Sequence, residues 1–201
     1  MGRDSTREVT VAVTGASGTL CGVRLIRALA EHPEVRQVNV VMSSSALSVA
    51  RVEVGPEDAT MDRMRQLIAG DARTIRWHEE QDIGASIASG SHPQDGTAIV
   101  PCSTGTLGAI ASGATRNLIH RAAEVALKER RTLILGVRET PLSAIHIENM
   151  LRVTRAGATV IPIVPAFYAR PRTIDDVVDL YVARVLDHLG LSHSLGRRWS
   201  G

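Results

Sequence analysis

The sequence has few cysteines and no long apolar run. Its two cysteines, Cys21 and Cys102, cannot form a disulfide framework, which is typical of a protein of the reducing cytoplasm. No apolar stretch approaches the roughly 18 residues that cross a bilayer, and residues 1–10 lack the apolar segment of a secretion signal. The sequence therefore predicts a cytoplasmic protein that is neither secreted nor embedded in a membrane.

An excess of charge of one sign is also missing. Lys and Arg together number 23 and Asp and Glu 21, so no strong field favours nucleic acid or an anionic membrane as a partner. Aromatic residues make up 2% of the chain, so Tyr168 and Trp199 draw attention as functional candidates. With 201 residues and 44% apolar composition, the chain can bury one core. We expect a single domain over residues 1–201, with terminal segments at 1–8 and about 192–201.

Strand-like and helix-like patterns alternate along the chain, which predicts an α/β fold with a mostly parallel sheet covered on both faces. The expected strands are 9–14, 35–42, 74–77, 97–100, 132–137 and 159–164. The expected helices follow the turn at 15–18, run through 50–53, and span 61–68, 107–130, 142–156 and 174–189.

Small polar residues follow most of the predicted strands. Ligands of open α/β sheets bind beyond the carboxyl ends of the strands, so these loops are expected to form the site. The loops are Gly15–Gly18, Ser43, Ser103–Thr106, Arg138–Glu139 and Ala166–Tyr168.

The first of these loops has the sequence GASG and opens a helix, an arrangement that suits a phosphate. Taken alone, it also fits a tight turn that needs glycine for its dihedral angles. The turn is not a full G-x-G-x-x-G, and Ser43 follows the second strand where an NAD-binding fold would carry an acidic residue. The pattern favours FMN or another monophosphate over NAD.

Arg121 and Lys128 are seven residues apart in a predicted helix and so share one face, where they could clamp a second phosphate. The alternative is a solvated face in which Glu124 and Glu129 pair with these cations. The histidines show no metal-ligand spacing, so no metal is expected. Cys102 is interpreted as a small buried thiol rather than a nucleophile, because no histidine lies near it in the sequence.

Taken together, the chain resembles the UbiX-type flavin prenyltransferases from about residue 9 to residue 199. The strings that carry the resemblance are TGASGTLCGVRL, DIGASIASGS, VPCSTGTLGAIASG, NLIHRAAEVALKERRTLILGVRETPLSAIHIENML and VPAFYARPRTIDDVVDLYVARVLDHLG. The resemblance implies a flavodoxin-like Rossmann sandwich that forms a homododecamer. It also implies that the protein joins a dimethylallyl group from dimethylallyl monophosphate to N5 and C6 of reduced FMN. The product, prenylated FMN, would serve a UbiD-type decarboxylase.

The resemblance also implies residue roles. The flavin contacts would be Gly15, Ala16, Ser17, Ser43, Ser103, Thr104, Gly105, Thr106 and Arg138. The prenyl-phosphate site would be Arg121, Lys128, Tyr168 and Arg184, with Trp199 as an aromatic wall, and Glu53 and Glu139 would be carboxylates near the reacting atoms.

The chemistry is consistent with these roles. Cations such as Lys128 would stabilise the phosphate as it leaves, without a metal, and the aromatic faces of Tyr168 and Trp199 would stabilise an allylic cation. Glu139, relayed through Ser17, could remove the final proton. Small residues in Ser103–Ala114 would permit close helix approach in an oligomer.

Two other functions stay open at this stage. One is an FMN-dependent decarboxylase of the same fold. The related cysteine decarboxylases use an early catalytic histidine and a PASANT-like string, whereas the corresponding loop here is PCSTGT. The other is a non-catalytic flavin carrier subunit, which would not need a second phosphate site.

Overall fold

The structure is a computed structural model, and it describes residues 7–57, 59–68 and 74–196. Six parallel strands form one sheet in the order β3-β2-β1-β4-β5-β6. The strands are β1 (Arg7–Val13), β2 (Val35–Met42), β3 (Ile75–His78), β4 (Gly96–Cys102), β5 (Thr132–Val137) and β6 (Thr159–Val160). The strand order reverses between the neighbours β1 and β4, which makes this the topological switch point of a doubly wound sheet.

Seven α-helices of the described chain cover the two faces of the sheet. They are α1 (Thr19–Ala30), α2 (Ser44–Glu53), α3 (Met61–Ile68), α4 (Thr104–Ser112), α5 (Leu118–Lys128), α6 (Ala144–Arg155) and α7 (Ile174–His188). Two single-turn 3₁₀ helices lie at Ser86–Ala88 and Phe167–Ala169.

The alternation of side chains along β1 divides the core into two layers. Val9, Val11 and Val13 face a core that includes buried residues of α1, α3 and α7. Ala12 faces the opposite core, which α4, α5 and α6 cover. The predicted α/β class is therefore confirmed, and the central strands β1, β4 and β5 are buried on both faces along most of their length, as is typical of a parallel sheet.

The largest difference from the sequence prediction concerns the helix expected over 107–130, which is two helices. Gly113 ends α4 with a left-handed backbone (φ 68°), and the side chain of Asn117 then caps α5 by accepting from the N–H of His120. Apolar residues continue at helical spacing across this break, so periodicity alone could not reveal it.

The strand expected over 159–164 was also too long, since β6 ends at Val160. The N–H groups of Ile161 and Ile163 still donate to β5 carbonyls at 2.9 Å each, but the intervening Pro162 has no N–H to continue the ladder. In the centre of the sheet, β1 begins at Arg7, two residues before the predicted start.

Small residues of α4 allow a close approach of α6 within the same chain. A Cβ on Gly108 would lie 3.5 Å from the side-chain nitrogen of Asn149. Among the described residues, no helix is both long enough and apolar enough to cross a bilayer.

Candidate active site

Hydrogen bonds join the loops at the carboxyl edge of β1, β2 and β4. The hydroxyl of Thr14 donates to the carbonyl of Pro101 at 2.9 Å and accepts from the N–H of Ser103 at 2.8 Å. The N–H of Ser43 donates to the carbonyl of Val13 at 3.0 Å. The predicted loops 15–18, 43 and 103–106 therefore share one edge at the switch point. Thr14 was missed by the sequence analysis, although a hydroxyl immediately before a Gly-rich turn could have indicated it.

The N-terminus of α4 is open toward this edge. Ser103 caps the helix, since its Oγ accepts from the N–H of Thr106 at 3.2 Å and donates to the hydroxyl of Thr106 at 3.0 Å. The N–H groups of Thr104 and Gly105 donate to no residue that the structure describes. Free N–H groups at the positive end of a helix dipole form an anion site.

Arg138 lies beside the α4 terminus, because its own N–H donates to the carbonyl of Cys102 at 3.3 Å. The Nε of Arg138 is buried and has no hydrogen-bond partner among the described residues. A buried guanidinium donor without a partner costs stability unless an anion or another acceptor meets it. Arg138 and the first turn of α4 thus fit the phosphate of a cofactor, whereas the sequence analysis assigned these residues to the flavin and the phosphate to the GASG turn.

Gly15 and Ser43 form a narrow part of the same edge. Ser43 caps α2, and its Oγ is 2.9 Å from the Oγ of Ser45. A Cβ on Gly15 would lie 2.6 Å from that Ser45 hydroxyl, so only glycine allows the two loops to approach. Ala16 is buried beneath this turn.

The N-terminus of α1 differs from the expectation that the GASG turn binds a phosphate. The two carboxylate oxygens of Glu53 accept from the N–H groups of Gly18 and Thr19, each at 2.8 Å. Because the protein's own carboxylate occupies these donors, a phosphate there would be repelled. Glu53 therefore lies in the site, but it also holds the turn that contains Ser17.

The pKa of Glu53 reflects that arrangement. Burial acts to raise it, while hydrogen bonds from the side chains of Ser17 and Thr19 and from the backbone of Gly18 and Thr19 lower it, and the net pKa is below its ordinary value. Glu53 is thus held ionised at the helix terminus.

Glu139 and Tyr168 project from the same edge but are exposed. Glu139 follows β5, and its carboxylate accepts from the N–H of Thr140 at 2.9 Å. Tyr168 lies in the 3₁₀ helix after β6 and is 60% exposed.

Each of the three predicted prenyl-phosphate cations pairs with a carboxylate outside this group of residues. Arg121 donates to the carbonyl of Ala88 and to Glu124, each at 3.0 Å, and Lys128 pairs with Glu129. Glu124 and Glu129 thus pair with these cations, as the alternative of a solvated helix face predicts.

The positions of two of these cations explain why they stay apart from the edge. Lys128 ends α5 just before β5 begins, which places it toward the amino edge of the sheet. Arg184 lies on α7 about 16 Å along the helix from its cap, and it pairs with Asp187 at 2.8 Å.

Three further expectations concern Trp199, Cys102 and a metal site. Trp199 lies outside the described residues. Burial raises the pKa of the Cys102 thiol to about 12, which argues against a nucleophile. Among the residues described, no group of three or more His, Cys, Asp and Glu side chains is placed to hold a metal ion.

Fold and site together define a doubly wound α/β protein with an anion site at its switch point, the class that binds phosphorylated cofactors. A family model described as Flavoprotein matches residues 2–186. The flavin prenyltransferase UbiX of Halalkalibacterium halodurans is 42% identical over 192 residues, which cover 94% of this chain and 92% of that protein. The UbiX of Pseudomonas aeruginosa is 42% identical over 95% of this chain and 93% of its own length. The chain belongs to the flavoprotein family and, within it, to the UbiX-type flavin prenyltransferases.

Solved structures agree with this assignment. An AnUbiX structure in complex with FMN and dimethylallyl pyrophosphate has a TM-score of 0.88 and 43% identity, and covers 98% of each chain. A dodecameric FMN-dependent UbiX-like decarboxylase from Escherichia coli O157:H7 has a TM-score of 0.87 and 43% identity, and covers 96% of this chain and all of that one. The predictions of a flavodoxin-like fold and of a transferase are confirmed.

Proposed function

We propose that this chain transfers the dimethylallyl group of dimethylallyl monophosphate to N5 and then C6 of reduced FMN. Two sets of donors carry the cofactor half of the proposal. The Nε of Arg138 is buried and has no partner among the described residues, and the N–H groups of Thr104 and Gly105, at the helix terminus next to the backbone of Arg138, donate to no described residue either. A flavin phosphate would accept hydrogen bonds both from the Arg138 guanidinium and from these backbone N–H groups. When bound, FMN supplies the nucleophilic ring atoms of the reaction.

The chain's own residues have distinct tasks in this proposal. The first turn of α4 and Arg138 hold the flavin phosphate, while Gly15, Ala16, Ser17 and Ser43 pack against the ring system. Glu139 lies on the exposed side of the same edge, where it can accept the proton that C6 must lose, with Ser17 as a relay. Glu53 keeps Ser17 in place through the turn at Gly18.

The prenyl-phosphate site is the second half of the proposal. Arg121, Lys128 and Arg184 would stabilise the growing negative charge on the leaving phosphate, and Tyr168 and Trp199 would face the allylic carbon atoms. Since Lys128 and Arg184 lie away from the carboxyl edge of their own chain, we infer that these two cations serve the edge of a neighbouring copy. The dodecameric state named for the Escherichia coli relative supports such sharing.

Exposed apolar side chains offer the surface for this assembly. Ile145 and Ile147 of α6 and Phe167 of the 3₁₀ helix are 69%, 54% and 74% exposed. Side chains of this size are seldom left in water as a group, and they favour a contact between copies. The product would then pass to a UbiD-type decarboxylase in the cytoplasm.

The decisive experiment is an anaerobic incubation with reduced FMN and either the monophosphate or the diphosphate of dimethylallyl alcohol, followed by mass analysis of the flavin. The proposal expects a flavin heavier by one C5H8 unit, formed faster from the monophosphate. If only the diphosphate gave prenylated flavin, the transferase activity would stand and the prenyl donor would be the diphosphate. Unmodified flavin with both donors would contradict the proposal.

A direct decarboxylase is the second candidate, because two solved relatives of similar identity carry that name. The same protein incubated with FMN and an aromatic acid should release no carbon dioxide unless a separate decarboxylase is supplied. Release by this chain alone would favour the second candidate.

A further inference from the structure

We infer that Asp187 is a positioning residue for the prenyl-phosphate site, and that His193 fixes Asp187 in turn. The inference rests on the proposed function, in which Arg184 contacts the phosphate. It concerns how the orientation of that arginine is determined.

Asp187 uses both carboxylate oxygens in different directions. Its Oδ2 accepts from Nη1 of Arg184 at 2.8 Å, and its Oδ1 lies 3.0 Å from Nε2 of His193. A carboxylate oxygen can only accept, so Nε2 of His193 is the donor. The carboxylate of Asp187 therefore links the exposed Arg184 to His193, which lies in the segment after α7.

His193 can orient Asp187 because its own side chain is held in a buried position. Its side chain is 5% exposed, although it follows the end of α7 by several residues. The segment that carries it runs back along α7, since a Cβ on Gly196 would lie 3.1 Å from Leu180. Within the described chain, Nδ1 of His193 has no hydrogen-bond partner, so the contact with Asp187 is the polar contact that orients the ring.

Arg184 needs such an anchor more than a buried arginine would. Its side chain is 58% exposed, and a long exposed side chain samples many rotamers. The 2.8 Å bond to Asp187 restricts the guanidinium, which leaves its remaining N–H groups for a phosphate. The carboxylate also carries a negative charge, which by itself would repel a phosphate.

Orientation of Arg184 by Asp187 would lower the KM for the prenyl phosphate, whereas repulsion of the phosphate by the Asp187 charge would raise it. Substitution of Asp187 therefore separates the two effects. If orientation dominates, Asp187→Asn raises the KM for dimethylallyl monophosphate by roughly tenfold, the order expected for one charge-assisted hydrogen bond. If charge repulsion dominates, the same change lowers the KM. His193→Phe keeps a buried ring without the donor, and it should raise the KM in the same direction.

The matched control is Asp179→Asn. Asp179 lies two turns earlier on α7 and pairs with Arg24 at 2.6 Å, so this change removes a similar carboxylate from the same helix. The KM should stay within twofold of wild type in this control. FMN affinity and the thermal midpoint are measured for every variant, and both should stay near wild type in Asp187→Asn.

Arg184→Ala separates the inference from the function on which it rests. A raised KM in Arg184→Ala with an unchanged or lowered KM in Asp187→Asn would overturn the positioning role alone. An unchanged KM in Arg184→Ala would overturn the role of that arginine as well, while prenylated flavin formed by wild type would leave the transferase activity standing. Equal KM increases in Asp187→Asn and Asp179→Asn would assign the effect to α7 as a whole.

Discussion

Glu53 shows how one side chain can serve stability and the site together. Its carboxylate accepts two backbone N–H groups at the start of α1, and it lies beside Ser17 of the proposed flavin contacts. A carboxylate in this position satisfies donors that would otherwise be unpaired and interacts well with the helix dipole. The same placement prevents α1 from acting as the phosphate-binding helix.

We therefore expect Glu53→Gln to lower the free energy of unfolding at neutral pH by about 1 kcal/mol, the typical value of a lost helix cap. The folded-state pKa of Glu53 lies below 4.5, its value without these contacts. The stabilisation is thus complete above about pH 4.5 and is lost as the pH falls through the folded pKa. Chemical denaturation of both proteins at neutral pH and well below pH 4.5 tests this, and a difference that persists in acid would contradict it.

Glu139 contrasts with Glu53 because little in the chain constrains it. It is exposed, its partner is the backbone N–H of the next residue, and it follows Arg138 at the carboxyl edge. A carboxylate that supports no helix terminus is free to exchange a proton with a ligand.

Glu139→Gln should bind FMN and dimethylallyl monophosphate but turn over about 10²–10⁴-fold more slowly, the usual contribution of a general acid or base. Gln retains the shape and loses the ability to accept a proton. Anaerobic single-turnover assays with a parallel FMN titration measure both quantities. Turnover close to wild type would remove Glu139 from the mechanism, and lost FMN binding would make it structural.

At the scale of elements, the helix terminus that suits a cofactor phosphate is that of α4 rather than that of α1. Both helices begin at the switch point, but α1 is capped by Glu53, whereas the first N–H groups of α4 are unpaired among the described residues. The neighbouring Arg138 adds a buried Nε donor that has no partner in the described part of the chain. The end of β2 leads into the Ser43 cap of α2, so the strand itself ends without the acidic residue that binds a ribose. The carboxylate of Glu80, which does lie there, accepts from the N–H of Ser44 at 2.9 Å.

Arg138→Met should weaken FMN binding by tenfold or more, since charge-assisted hydrogen bonds to a phosphate are among the stronger contacts. The thermal midpoint without ligand should be unchanged or higher, because an unpaired buried donor is removed. Flavin fluorescence titration and thermal unfolding test the two halves. NAD serves as the comparison ligand, and NAD binding tighter than FMN in wild type would contradict the flavin assignment.

At the scale of the whole molecule, the candidate site is divided between distant parts of the chain. The proposed flavin site lies at the carboxyl edge of the sheet, in the loops after β1, β2, β4 and β5. Lys128 lies toward the amino edge. A side chain cannot cross the sheet, so the proposed site would require a second copy of the chain to bring both parts together. The exposed apolar residues of α6 and the 3₁₀ helix after β6 are consistent with that need.

Subunit complementation tests this division. Lys128→Ala and Glu139→Gln should each be nearly inactive alone, but co-expressed chains should regain about one quarter of wild-type activity if two copies form each site. The matched control combines Glu139→Gln with Arg138→Met, two changes at one edge, and this mixture should show no more activity than Arg138→Met alone. No recovery in the first mixture would place Lys128 and Glu139 in the site of a single copy.

The sequence by itself determined the fold class and the residues of the carboxyl edge, because alternating strand and helix patterns and the loops after each strand are local signals. It also determined the family, since five family strings, among them the long one that contains KERR and RETP, extend over most of the chain. Only the tertiary structure decided which helix terminus is free, since the capping partner of α1 is Glu53, 34 residues from Thr19. It also decided that α4 and α5 are separate and that Lys128 is remote from the flavin edge, because backbone conformation at Gly113 and the direction of α5 depend on packing that no local pattern records.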